Sequence, residues 1–343
     1  MRKYLLPERG KFFKANLHTH TTVSDGSASP AETKESYKSA GYSVVAFTDH
    51  DVLLSHKDLN DENFLAITSC EKEVNFYTPA VPRKYSYNKT LHANFYAKDE
   101  DNLALPVLNP EAAHIGNARD YVTEEMKKFH YVAEYSDEGL NDMIARANAA
   151  GFLVSLNHPV WSLQNYEDYK NLKGFRFVEI YNSNCARQGY TDTAQPFEDL
   201  LRRGERVFPI ASDDTHSEAD RFGGFVMIKA EKLAYGDILG ALERGDFYAS
   251  TGARINALYL EKNALFIECS PALAITVHTD RRHNMKITAQ NGEFLTKAAF
   301  DLSHYLQDTE PGAAPAYFRV SVTGKDGAIA CTRAYFSDEG LFG

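Results

Sequence analysis

Short apolar runs and amphipathic stretches alternate through the first 250 residues, and their periods predict strands alternating with helices. β-rich runs at Val44–Phe47, 64–67, Phe152–Leu156, 175–181 and 207–211 predict strands, with a weaker one at 91–96. Ser29-Pro30-Ala31-Glu32 is a capping box with proline at the first helical position. The helix it opens keeps Tyr37 and Ala40 on its apolar side and ends at Gly41. Leu140, Met143, Ile144 and Ala147 stand at i, i+3, i+4 and i+7 and predict a helix over 137–149, closed by Gly151. This rhythm implies parallel strand pairing and an α/β class. The stretch 98–134 breaks the rhythm and reads as an insertion over the surface, able to act as a lid, with one helix at 120–131. After a helix near 235–244 the texture changes. Glu261-Lys262-Asn263 and Gly324-Lys325-Asp326-Gly327 each sit between two apolar runs, which is a hairpin signal. The expected organisation is a main domain over 1–252 and a small, mostly antiparallel β domain over 253–343.

The candidate chemistry lies just after the predicted strands. His18-Thr19-His20 follows Ala15-Asn16-Leu17, and Thr48-Asp49-His50-Asp51 follows Val44–Phe47. Ser69-Cys70-Glu71, Asn157-His158-Pro159 and Ser212-Asp213-Asp214-Thr215-His216 follow later runs in the same way, and His92 falls within the weaker strand. Side chains at the carboxyl ends of parallel barrel strands face one common pocket. In His18-x-His20 a two-residue period sends both imidazoles to one face, where they can grip one ion, and Asp214-x-His216 repeats the device with mixed ligands. A lone histidine after a strand is more often a capped or solvated residue, and His56, His114, His130, His278, His283 and His304 are read so. The joint series within one domain is what points to a metal site. Glu73 lies two residues beyond Glu71 and shares its face, so the local sequence leaves both open, with Glu71 favoured by its distance from the apolar run.

In order along the chain, His18-Thr19-His20, Ser24-Asp25-Gly26, Thr48-Asp49-His50-Asp51, Asn157-His158-Pro159, Val178-Glu179-Ile180-Tyr181-Asn182 and Ser212-Asp213-Asp214-Thr215-His216 resemble the motifs of the PHP (polymerase and histidinol phosphatase) superfamily. The resemblance spans roughly 13–252, and the segment 245–252 with the β tail resembles the CehA/McbA-type branch. It implies an α/β fold, a distorted (β/α)7 TIM-like barrel, and two to three divalent metal ions (Zn, Fe or Mn). Carried over, His18, His20, Glu71 and Asp214 would hold a first ion. Glu71, His92 and His158 would hold a second, and Asp25, His50 and His216 a third. Ser69 stands where many members have glycine, and the position of Asp25 varies between His and Asp. The implied chemistry is hydrolysis by a hydroxide bridging two ions and held by Glu71, with His50 or His216 as acids and Asp49 and Asp51 orienting imidazoles. Arg187 and Arg221 are the expected phosphate-binding residues, with Arg83 and Lys128 weaker, and Trp161, Tyr166 and Tyr190 could line a cleft. The expected activity is that of a metal-dependent phosphoesterase acting on a small phosphorylated molecule. The alternatives are a carbamate, amide or carboxylic-ester hydrolase using the same site, and a metal-dependent binding module without turnover.

Composition narrows the partners. The chain has 343 residues, 43% hydrophobic and 24% charged, with a net charge of −10, which excludes global disorder and coiled coil. An acidic surface argues against long nucleic acid and acidic membranes, which require clustered lysine and arginine. The four cysteines are too widely spaced for a zinc ribbon or a disulfide framework. With no apolar run near the ~20 residues of a membrane span, a reduced, cytoplasmic compartment is expected.

Overall fold

The computed structural model describes residues 2–76, 89–190, 194–303 and 316–341. β1 (Arg2–Tyr4) precedes β2 (Lys11–Asn16), α1 (Pro30–Ser39), β3 (Val44–Phe47), β4 (Leu65–Phe76) and β5 (Lys89–Ala97). After a long irregular stretch come α2 (Asp137–Ala149), β6 (Phe152–Leu156), α3 (Tyr166–Tyr169), β7 (Phe177–Asn182) and α4 (Ser183–Arg187). Then follow α5 (Gln195–Arg202), β8 (Phe208–Ser212), β9 (Phe225–Ala230), α6 (Tyr235–Arg244) and β10 (Phe247–Ser250). The chain closes with β11 (Ile255–Glu261), β12 (Ala264–Thr279), β13 (Met285–Thr288), β14 (Leu295–Asp301), β15 (Tyr317–Gly324), β16 (Ile329–Thr332) and β17 (Tyr335–Phe336). The class is mixed α/β, with one large sheet and few helices.

Local chemistry explains the helices. Ser29 Oγ accepts from the Glu32 N–H while Glu32 accepts from the Ser29 N–H at 2.9 Å, so two orphan donors at the start of α1 are satisfied reciprocally. In α2, Ser136 Oγ caps the Gly139 N–H at 3.1 Å, and Leu140, Met143, Ile144 and Ala147 are all buried.

The sheet departs from uniform parallel pairing. β2, β3 and β4 run parallel, as do β6, β7 and β8. β5 is antiparallel to both β4 and β6. Because of this direction, β5 starts at the end where its neighbours carry their functional side chains. Among the described residues no ladder joins β8 to β2. A single parallel bridge, Thr19 to Thr215, links the segments just beyond them, with the His20 N–H donating to the Thr215 carbonyl at 2.9 Å.

No α-helix forms over 120–131; the segment 98–134 carries only 3₁₀ turns, at Pro110–Ala112, Ala118–Tyr121 and Met126–Lys128. It nevertheless contributes to the core through Leu105, Val107, Leu108 and Met126. It is pinned to the loop after β2, because Asn117 donates from its backbone to Ser24 O at 2.9 Å and from its side chain to Thr22 O at 3.0 Å. Gly116 makes this approach possible: at φ +55° an added Cβ would lie 1.9 Å from the Ser24 carbonyl oxygen.

Both expected hairpins form. Glu261 pairs with Ala264 across Lys262, which takes φ +55°, and β15 pairs antiparallel with β16 across the turn at 324–327. The ladder does not break at residue 252. β10 pairs on one side with β9 and on the other with β16, and Tyr248 packs into the same apolar cluster as Leu258, Ile275 and Val322. Arg319, only 6% exposed, donates from Nε to Glu198 of α5 at 2.6 Å and ties the tail to the parallel strands. All four cysteines are buried and unbridged.

Candidate metal centre

The ends of β2, β3, β6 and β8, with the middle of β4 and the first half of β5, meet around one carboxylate, that of Glu71 within β4. Glu71 lies 3.2 Å from His18 Nε2, 3.2 Å from His20 Nε2 and 3.2 Å from His92 Nδ1. His50 Nδ1 and His158 Nε2 are each 3.5 Å from it. Asp214 Oδ1 is the second focus, 3.2 Å from both His18 Nε2 and His20 Nε2. Asp25 Oδ2 stands 3.4 Å from His216 Nε2 and 3.9 Å from His50 Nε2. Among the described residues, four sets of donor atoms lie within 4.8 Å of one another: His18, His20 and Asp214; Glu71, His92 and His158; His20, Asp25, His50 and His216; and His18, His158 and Glu179. Glu73 stands aside from these sets, with Oε2 3.6 Å from His92 Nε2 and Oε1 held by Asn75 Nδ2 at 3.0 Å.

These donors fit divalent cations. His18 Nε2 and His20 Nε2 point at the same spot, 3.2 Å apart, and Asp214 Oδ1 and His50 Nδ1 are buried without a hydrogen-bond partner. Imidazole nitrogens and carboxylates converging in a buried place are the ligand chemistry of zinc, iron or manganese. The electrostatics agree. Burial disfavours a charged His20, but hydrogen bonds and charge from Asp214 and Glu71 override it and raise the imidazole to about 10. Burial is likewise overridden at His92, which Glu71 and Glu73 raise to about 9. His50, buried beside His20, is pushed down to about 3. Burial opposes the charge on Glu71 and Asp214 too, yet the surrounding histidines hold both carboxyls well below their ordinary range. Two residues of the cluster take left-handed backbone, His158 at φ 26° and Asp214 at φ 52°, and such strain collects at functional sites.

A ring of partners orients the donors. Glu179 of β7 accepts from His18 Nδ1 at 2.8 Å and from the His158 N–H at 2.8 Å. Its bond to His18 leaves Nε2 facing Glu71 and Asp214. Asn157 Nδ2 donates to Glu71 at 2.7 Å. In the sequence Glu179 is visible only within Val178-Glu179-Ile180-Tyr181-Asn182, as an acid centred in an apolar strand. Asp213 is anchored by the backbone N–H groups of Phe222, Gly223 and Gly224 at 2.7–2.9 Å and by Tyr37 Oη at 2.8 Å. Burial nonetheless pushes its carboxyl up to about 6.

Other candidates sit elsewhere. Asp49 accepts from the backbone and hydroxyl groups of Thr21 and Ser24 at 2.7–3.1 Å and shapes the loop after β2. Asp51 pairs with Lys72 at 3.2 Å. Neither is placed to orient a ligating imidazole, because each carboxylate is spent on those partners. Arg187 pairs with buried Asp220 at 2.7 Å, and Arg221 donates to Ser36 at 2.9 Å. Neither lines the cavity over the cluster, a space of about 380 Å³ whose walls include Ile115, Trp161, Asn184 and Gln188. Lys128 pairs with Glu125 in the 98–134 segment, Tyr166 opens α3, and Arg83 lies outside the described residues.

No family model and no curated protein matches the sequence. Several solved structures are similar in arrangement. A two-domain protein of Bacteroides vulgatus, containing a predicted PHP-like metal-dependent phosphoesterase, is 13% identical over 97% of both chains, with a TM-score of 0.45. An amidohydrolase from Chromobacterium violaceum with bound sulfate is 14% identical over 60% of this chain and 88% of its own, with a TM-score of 0.39. The lesion-specific endonuclease EndoQ of Pyrococcus furiosus is 16% identical over 68% of this chain and 56% of its own, with a TM-score of 0.41. At such distances the chemistry has to be read from the side chains themselves.

Proposed function

We infer that this chain is a metal-dependent hydrolase acting on a phosphate ester of a small molecule. The observation that carries this reading is the Glu71 carboxylate, 3.2–3.5 Å from five separate imidazoles. His18, His20, Glu71 and Asp214 would hold one ion, Glu71, His92 and His158 a second, and Asp25, His50 and His216 a third, with Glu71 shared. Divalent ions supply, when bound, charge neutralisation at the scissile group and a water of near-neutral pKa. The chain's own part is positional. Glu179 fixes His18 through Nδ1, Asn157 fixes Glu71, and the Asp213 anchor holds the turn that presents Asp214 and His216. The size of the cavity, about 380 Å³, suits a small substrate. A second reading keeps the site and changes the electrophile to a carboxylic ester, carbamate or amide. Its support is that both expected phosphate-binding arginines are engaged elsewhere.

The test is elemental analysis of protein purified without chelator, followed by 4-nitrophenyl phosphate, phosphodiester and carboxylic esters assayed with zinc, manganese and iron. Turnover that Glu71→Gln lowers by about a thousandfold supports the reading. Inert esters with every metal, or a fully active Glu71→Gln protein, refute it, and turnover of carboxylic esters alone selects the second reading.

A further inference from the structure

All the side chains lining the cavity over the cluster are polar except Ile115 and Trp161. The geometry points to these two as a seat for a planar, uncharged part of the substrate, with Glu73 beside it excluding groups that bring an extra negative charge. The inference rests on the hydrolase reading for what happens next to the seat, but not for the seat itself.

Trp161 stands across two of the clustered imidazoles. Its ring centroid is 5.0 Å from that of His158 at 81° and 5.4 Å from that of His92 at 68°. The indole is therefore next to the Glu71, His92 and His158 donors. Its single polar handle is occupied, because Nε1–H donates to Gln188 Oε1 at 3.4 Å. Gln188 in turn donates to Asn184 Oδ1 at 3.0 Å, and Asn184 Nδ2 lies 3.3 Å from His216 Nδ1. A chain of amides thus fixes the indole and leaves it only carbon surface to offer, which suits an aromatic ring in offset or edge contact. Ile115 belongs to the segment pinned beside Ser24 through Asn117, so this second apolar element is fixed in place.

Glu73 supplies the charge rule. Its side chain is 18% exposed on the cavity wall, and its carboxylate is held by Asn75 and faces His92. A ligand that reaches Trp161 past His92 meets this carboxylate. Among the described residues no lysine or arginine lines the cavity to offset it. A phosphodiester or neutral ester bearing an aromatic group fits; a second phosphate or a carboxylate on that group does not.

Trp161 is the only tryptophan in the chain, so its fluorescence reports the seat directly. Zinc-loaded protein would be titrated with 4-nitrobenzyl alcohol and with 4-nitrobenzoate, which share a quenching ring and differ in charge. The expected result is saturable quenching by the alcohol, with the benzoate binding about fivefold or more weakly. Glu73→Gln should bring the two within about twofold, and Ile115→Ala should weaken the alcohol about threefold. In turnover, Glu73→Gln should raise kcat/KM for 4-carboxyphenyl phosphate relative to 4-nitrophenyl phosphate by about fivefold. Linear, unsaturating quenching by both ligands, or equal affinities in the unaltered protein, overturns the proposal. Saturable, charge-selective quenching without any turnover would leave the seat standing and remove the hydrolase reading. Turnover with linear quenching would do the reverse.

Discussion

Glu179 contacts the cluster only through other residues, yet it settles which nitrogen of His18 faces inward. Partners of this kind set ring orientation and ligand basicity. Glu179→Gln is expected to weaken metal binding by about 10- to 100-fold while the far-ultraviolet spectrum stays unchanged, measured by chelator competition. His278 gives a second prediction at this scale, far from the cluster. Burial, and then the charge of Arg319, lower its imidazole from 6.5 to about 4, while Nε2 lies 2.8 Å from Ser321 Oγ. The fold therefore prefers neutral His278. Its contribution is present above pH 6.5 and is lost as the pH falls toward 4, by up to about 3 kcal/mol. His278→Gln should flatten the acid side of the stability profile between those limits in denaturant titrations. The residues legible in the sequence were those placed directly after apolar runs, His18, His20, His50, His158, Asp214 and His216. Glu179 was harder to see, since an acid inside Phe177–Asn182 carries no spacing signal of its own. The contacts of the two arginines were not legible, because positions after motifs say nothing of the partners they meet, Asp220 for Arg187 and Ser36 for Arg221.

At the scale of elements, caps and hairpin turns were readable because their chemistry is local. The start of α1 is one such case, and Ser29→Ala should cost about 1 kcal/mol, read as a lower denaturant midpoint at unchanged slope. β5 was the element whose direction could not be read. The alternation of its side chains does not mark its antiparallel pairing, and that pairing is why His92 reaches the cluster from the opening half of its strand. The helix expected at 120–131 does not form, because the apolar residues of the 98–134 stretch serve the core at irregular spacing. Its turn at Gly116 carries a prediction: Gly116→Ala should lower stability by about 1–3 kcal/mol. It should also loosen the loop that holds Asp25, seen as faster amide exchange there.

For the whole molecule, the α/β class was legible. The closed barrel that the resemblance implied is not seen, since among the described residues no ladder joins β8 to β2. The way the sheet continues into the C-terminal strands was not legible, since pairing between β10 and β16 spans some eighty residues of sequence. Metal loading should act on this entire unit. A ligand at a hundred times its dissociation constant adds about 2.7 kcal/mol. Adding zinc to chelator-treated protein should therefore raise the melting temperature by several degrees, and Glu71→Gln should abolish the rise. The placement of β10 also bears on how the protein can be handled. A fragment ending at Gly252 would keep every histidine of the cluster, but would bare the backbone groups from Tyr248 to Ser250 that Ala330 to Thr332 normally satisfy. Such an exposed strand invites pairing with another copy. The shortened chain should therefore elute from a sizing column as large assemblies, which would make the strands that touch no histidine of the cluster the guard that keeps the cluster-bearing portion from aggregating.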